Sequence, residues 1–127
     1  MTALRLRRVP GRYAICRLAP DAAVPGWAAG ELVSVTRTRD ELSIVCAAEG
    51  VPDGVTREGP WVAWRVEGTL DLSLTGILAR LAVPLAEAGV SLFAVSTYDT
   101  DHILVREPDT DAAVEAWRSA GHGVTAG

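Results

Sequence analysis

Residues 91–97 are apolar on both alternating faces: Leu92, Phe93, Ala94 and Val95 follow one another between Ser91 and Ser96. A short continuous run of this kind, bounded by turn residues, predicts a strand covered on both sides. Tyr98, Asp99, Thr100 and Asp101 supply a tight polar turn, and His102, Ile103, Leu104 and Val105 form the returning strand. Upstream, Leu74, Ile77, Leu78, Leu81 and Leu85 recur at helical spacing and predict an amphipathic helix over residues 73–88. Ser73 is placed to cap its start and Gly89 to end it. Pro84 lies inside the pattern, has no N–H to donate, and is expected to bend the helix near Arg80. A further helix is expected over residues 110–120, capped by Asp109, with Val114 and Trp117 inward and Gly121 at its end.

The first half of the chain is more broken. Strands are expected over residues 13–18, 31–36 and 42–46, the last with Leu42, Ile44 and Cys46 on one face. Gly50, Pro52, Gly54, Gly59 and Pro60 mark residues 49–60 as a loop and as the best internal boundary. Trp61, Val62, Ala63, Trp64, Arg65, Val66, Glu67 and Gly68 then predict another strand. From residue 61 onward the order is β-α-β-β-α, with a weak candidate strand in residues 122–127. That order predicts an α+β, ferredoxin-like βαββαβ sandwich, an antiparallel sheet with helices on one face. A strand from the N-terminal half is an alternative source of the fourth strand.

Composition narrows the function. The 127 residues are 49% hydrophobic, enough for a real core, and the net charge of −4 argues against a nucleic-acid partner. All positive charge is arginine; with no lysine there is neither a Schiff-base nucleophile nor a Walker-type phosphate loop. Arg5, Arg7, Arg8 and Arg12 read as a solvated strand face or a loose end. No apolar run is long enough to span a bilayer, and the first residues do not have the pattern of a secretory signal, so a cytoplasmic protein is expected. Cys16 and Cys46 read as buried free thiols, although the sequence leaves a disulfide open. With His102 and His122 as the only imidazoles and no metal-binding spacing, neither a metal nor a cofactor is expected.

The candidate chemistry is binding. A helix N-terminus presents unpaired N–H groups and partial positive charge. Those of Leu74, Thr75, Gly76 and Ile77 suit a carboxylate, with the Ser73 and Thr75 hydroxyls as further donors. Asp99 or Asp101 suits an ammonium or guanidinium. A small zwitterion would be satisfied at both ends. The plainer readings are a simple cap for Ser73, close helix–sheet packing for Gly76, ordinary turn chemistry for Asp99 and Asp101, and a sheet-edge cover for Tyr98. A catalytic use of His102 with Asp99 or Asp101 lacks a placed nucleophile or oxyanion donor.

Three segments carry a family resemblance: residues 34–38 with 41–45, residues 76–78 with 84–91, and residues 96–105, the run Ser-Thr-Tyr-Asp-Thr-Asp-His-Ile-Leu-Val. Together they resemble the stand-alone ACT-domain proteins of the amino-acid-binding type, the subfamily that also appears in the CASTOR arginine sensors. The resemblance covers most of residues 13–121. It implies two ACT-like lobes in tandem, a truncated N-terminal one (1–58) and a complete C-terminal one (59–127). It also implies a non-catalytic regulatory protein, a homodimer, and a ligand held by Ser34, Val35, Asp71, Leu72, Ser73, Thr75, Gly76, Ile77, Thr97, Tyr98, Asp99 and Asp101. The alternatives are an interaction domain without a ligand and a small enzyme built on His102.

Overall fold

The computed structural model describes residues 3–68 and 76–126. Its elements run β1 (Arg5–Leu18), β2 (Ser34–Arg37), β3 (Leu42–Ala47), β4 (Thr56–Val66), α1 (Ile77–Glu87), β5 (Leu92–Ser96), β6 (Asp101–Arg106), α2 (Thr110–Ser119) and β7 (Gly123–Thr125). The chain divides into two compact units, Met1–Val9 with Val62–Gly127, and Pro10–Trp61. The long strands β1 and β4 each contribute residues to both. The expected division at residues 58 and 59 falls within β4.

In the helical unit the strands lie in the order β7-β1-β4-β6-β5. β5 and β6 form an antiparallel hairpin with Ser96 opposite Asp101. β7 runs parallel to β1, with Leu6 opposite Val124. Where β1 meets the end of β4, the Glu67 N–H donates to the Arg5 carbonyl at 2.8 Å. This is the βαββαβ order of a ferredoxin-like fold, with β1 inserted between its first and last strands. Both expected sources of the final strand are therefore used. The tail has one half-buried apolar residue to offer, Val124, whereas Leu4 and Leu6 enter the core directly.

That core joins Leu4, Leu6, Val62, Trp64, Val66, Ile103 and Val105 of the sheet to Leu81, Leu85, Ala113 and Trp117 of the helices. Val62, Trp64 and Val66 take alternate positions, as the period of a strand requires. Trp64 and Trp117 meet edge to face, their centroids 5.0 Å apart. The Trp117 indole N–H donates to the Leu81 carbonyl at 3.0 Å, so this large side chain is buried with its polar atom satisfied. On β1, Arg5 and Arg7 are exposed on either side of buried Leu6, and the Arg8 guanidinium lies 6.0 Å from the Trp64 ring centroid.

Both helices end on a glycine in the left-handed conformation. Val90 N–H returns to the Leu85 carbonyl behind Gly89, and His122 N–H to the Trp117 carbonyl behind Gly121. The start of α1 and the capping of α2 differ from expectation. α1 begins at Ile77 with Gly76 at its cap position, and the expected Ser73 cap lies outside the described residues. Asp109 occupies the cap position of α2 without a side-chain bond to the helix; the Thr110 hydroxyl instead donates to the Glu107 carbonyl at 2.7 Å.

The other unit is built of strands, with β3 between β2 and β1, both antiparallel to it. Its core is Ala14, Cys16, Leu42, Ile44, Cys46 and Val51, with Trp27 packed against it. Residues 49–60, expected as loop, are loop only in part, because β4 starts at Thr56. Gly59 is a strand residue with φ +144°, and a Cβ there would stand 2.9 Å from the Tyr13 carbonyl oxygen. The glycine marks a close strand approach rather than a turn.

Candidate functional site

Every described binding candidate of the helical unit falls at one end of its sheet. β5 starts just after α1 ends and runs back along it, so the β5–β6 turn and the α1 N-terminus share an end. The turn is held to β4 by a buried residue that the sequence reading did not select. The Thr100 hydroxyl donates to the Val66 carbonyl at 2.7 Å, and Thr100 is only 3% exposed. Val66 is the last residue of β4, and the chain leaves it for the segment that leads to Gly76. No local signal separates Thr100 from an ordinary turn threonine, since its partner is 34 residues away.

Thr97 closes the turn from the other side. Its N–H and its hydroxyl both donate to the Thr100 carbonyl, at 2.9 and 3.0 Å, so the hydroxyl is engaged within the turn. Tyr98 is 81% exposed and Asp99 is exposed beside it. Asp101 is half-buried at the start of β6. Gly76 has φ +78°, and a Cβ there would meet no atom of the described residues within 4 Å. Among those residues its positive φ is what favours glycine. With α1 starting at Ile77, the amides of Ile77, Leu78 and Ala79 precede the first helical bond, which runs from Arg80 N–H to the Gly76 carbonyl. The donors expected at Leu74 and Thr75 lie outside the described residues, as do Asp71, Leu72 and Ser73. Leu78 and Ala79 were not among the expected residues, because the helix was read as starting earlier.

Ser34 and Val35 belong to the other unit. They sit on β2 opposite Val45 and Ile44, and among the described residues β2 pairs with β3 alone. That unit also has a groove of about 460 Å³, lined by Arg12, Glu49, Arg57 and Pro60 among others. Arg57 closes the neighbouring loop by donating to the carbonyls of Val51, Pro52 and Val55. None of the expected ligand residues lines this groove.

The two cysteines are free and buried in the strand unit. Burial raises the Cys16 thiol pKa and, with the neighbouring Cys16 sulfur, pushes Cys46 up to about 11. Both stay protonated at neutral pH, which removes their nucleophilicity. His102 is half-buried, and its enclosed Nδ1 has no hydrogen-bond partner among the described residues. Burial and the Arg65 charge lower its pKa, against the opposing pull of the Val95 backbone and Asp101. Among the described residues, no three His, Cys, Asp or Glu side chains form a metal-binding group, and no helix is long and apolar enough to cross a membrane.

Comparison with known proteins agrees with this architecture. The ACT domain family matches residues 56–119, and a separate N-terminal domain family matches residues 11–54. A crystal structure of an Agobacterium tumefaciens protein is 38% identical, covers 98% of this chain and 93% of its own, and superposes with a TM-score of 0.91. A Vibrio cholerae protein of unknown function is 23% identical over 94% of this chain and 91% of its own, with a TM-score of 0.77. The ligand-free regulatory subunit of aspartate kinase from Thermus thermophilus shares the fold at 13% identity and a TM-score of 0.59, covering 87% of this chain and 93% of its own. The chain belongs to the ACT-domain family.

Proposed function

We propose that the protein is a non-catalytic regulatory module that binds an amino acid at the sheet end formed by the α1 N-terminus and the β5–β6 turn. The carrying observation is the Thr100–Val66 hydrogen bond, which fixes the acidic turn beside the strand end that feeds the helix. A ligand carboxylate would take the amides of Ile77, Leu78 and Ala79, which precede the first helical hydrogen bond and where helix polarity favours an anion. Asp99 or Asp101 would take the ammonium. No atom of the described residues crowds Gly76 on that approach. Asp71, Leu72, Ser73, Thr75, Thr97 and Tyr98 remain in the reading as flanking residues, and Ser34 and Val35 on the resemblance alone. The CASTOR-like subfamily, a homodimer and a cytoplasmic location are parts of the same reading. Regulation would follow if the ligand favours one assembly state over another.

The test is a thermal melt of the purified protein against each proteinogenic amino acid at millimolar concentration. A ligand that binds only the native state adds about 2.7 kcal/mol of stability at about 100 times its dissociation constant. One amino acid, or a few related ones, should raise the midpoint, and Asp99→Asn with Asp101→Asn should remove the rise. A cooperative melt that ignores all of them would replace this reading with that of an interaction domain.

A further inference from the structure

The two cysteines of the strand unit form a pair of soft ligands. β1 and β3 set Cys46 opposite Ala14 and Cys16 opposite Ile44, so the cysteines are diagonal neighbours on one face of the strand pair. Their thiols share a hydrogen bond, and both are free and buried. Leu42, Ile44 and Val51 belong to the same core, with Trp27 packed against it. The groove of about 460 Å³ reaches the positions beside Cys46, since Ala14 lies across the strand pair from it and Ala47 follows it in the chain. Arg57 lines that groove, and the carbonyls of Val51, Pro52 and Val55 hold its guanidinium in place.

We propose that Cys16 and Cys46 together bind one soft monovalent cation of the copper(I) class in two-coordinate form. Thiolates select soft ions. A disulfide would need β-carbons roughly 3.5–4.5 Å apart, whereas diagonal neighbours stand roughly 7 Å apart. An ion spans the difference: two metal–sulfur bonds of about 2.3 Å, the zinc value, set the sulfurs roughly 4.6 Å apart. Among the described residues no third His, Cys, Asp or Glu completes a group with the pair. That suits a monovalent ion with a filled d shell, which accepts two ligands in line, and not zinc, which takes four. On binding, two S–H bonds break, two metal–sulfur bonds form, two protons leave to water and no electron is transferred. The product carries one negative charge. Burial raises both thiols, but the Arg57 charge and, at Cys46, a backbone hydrogen bond from Ala29 act the other way and favour that charge. The way in from the groove passes only the small side chains of Ala14 and Ala47. The site is independent of the amino-acid reading and stands or falls without it.

The test is an anaerobic titration of the reduced protein with copper(I) held by bicinchoninate, whose colour is lost as the metal leaves it. The protein should withdraw one copper per chain. X-ray absorption at the copper edge should show two sulfur neighbours and no nitrogen or oxygen shell. Zinc(II) should not compete for the site, because it would find half the ligands it takes. Cys16→Ala and Cys46→Ala should each weaken the uptake by more than about a hundredfold, the upper range for losing a mere outer-shell partner. The absorption spectrum of the native sequence decides the matter if neither variant folds. No copper withdrawn, a shell containing nitrogen or oxygen, equal competition by zinc, or undiminished uptake in a folded alanine variant would overturn the proposal.

Discussion

His102 is where the local environment makes the clearest demand. Its ring is held partly out of water beside Arg65, and both effects favour the neutral form and lower its pKa below the ordinary histidine value. The folded state therefore binds its proton less readily than the unfolded chain, and stability rises with pH across the interval between the two pKa values. The contribution is complete above about pH 6.5, the ordinary histidine value, and is lost as pH falls through the lowered one. Urea midpoints taken at about pH 7.5 and about pH 5.5 should fall in the native sequence and fall less in His102→Gln. Equal losses in both proteins would show that this histidine does not carry the dependence. The cysteines make the opposite kind of statement. With Cys46 pushed up to about 11 and both thiols buried, iodoacetamide at neutral pH should label neither until the protein is unfolded. Their burial was readable from apolar neighbours at alternate positions, whereas the unsatisfied nitrogen of His102 was not, since it depends on β4 and β5 lying alongside.

At the scale of elements, what could be read was what repeats locally. The α2 pattern, the β5–β6 hairpin and β3 lie within a residue or two of their expected bounds, because each is specified by its own periodicity and turn chemistry. β4 is the instructive difference. Gly59 and Pro60 punctuate a sequence as a loop, but here the glycine lets two strands approach where a side chain could not fit. Gly76 shares a positive φ with Gly59, but no atom of the described residues crowds it. Substitution by alanine should separate the two roles. Gly76→Ala meets backbone strain alone, of about 1–2 kcal/mol. Gly59→Ala adds to comparable strain a Cβ at 2.9 Å from the Tyr13 carbonyl oxygen, so it should cost clearly more. Denaturant midpoints of the two variants check the order, and equal costs would mean that the strands part easily at that point.

At the scale of the whole molecule, the βαββα order from residue 61 was legible, and with it the end of the sheet where the candidate ligand residues gather. The placement of β1 was not. Its pairing joins Arg5 to Gly123 and to Glu67, positions far apart along the chain, and no window of sequence registers that. An arginine-rich start also looks like a solvated strand face or a loose end. The buried alternates, Leu4 and Leu6, show what that reading conceals: the first residues are core of a unit otherwise made from residues 62–127. Leu6 is fully buried against the helical layer's core, and Leu6→Ala should cost about 2–5 kcal/mol, the range for truncating a buried leucine. Removing residues 1–9 deletes both leucines, the strand between β7 and β4, and the Leu4 N–H that His122 accepts. The emission of Trp64 and Trp117, which lie in that same core, reports the outcome. The shortened protein should show a red-shifted spectrum and no cooperative melt from these indoles. A native spectrum with an unchanged midpoint would mean that the ferredoxin-like unit closes without its N-terminal strand.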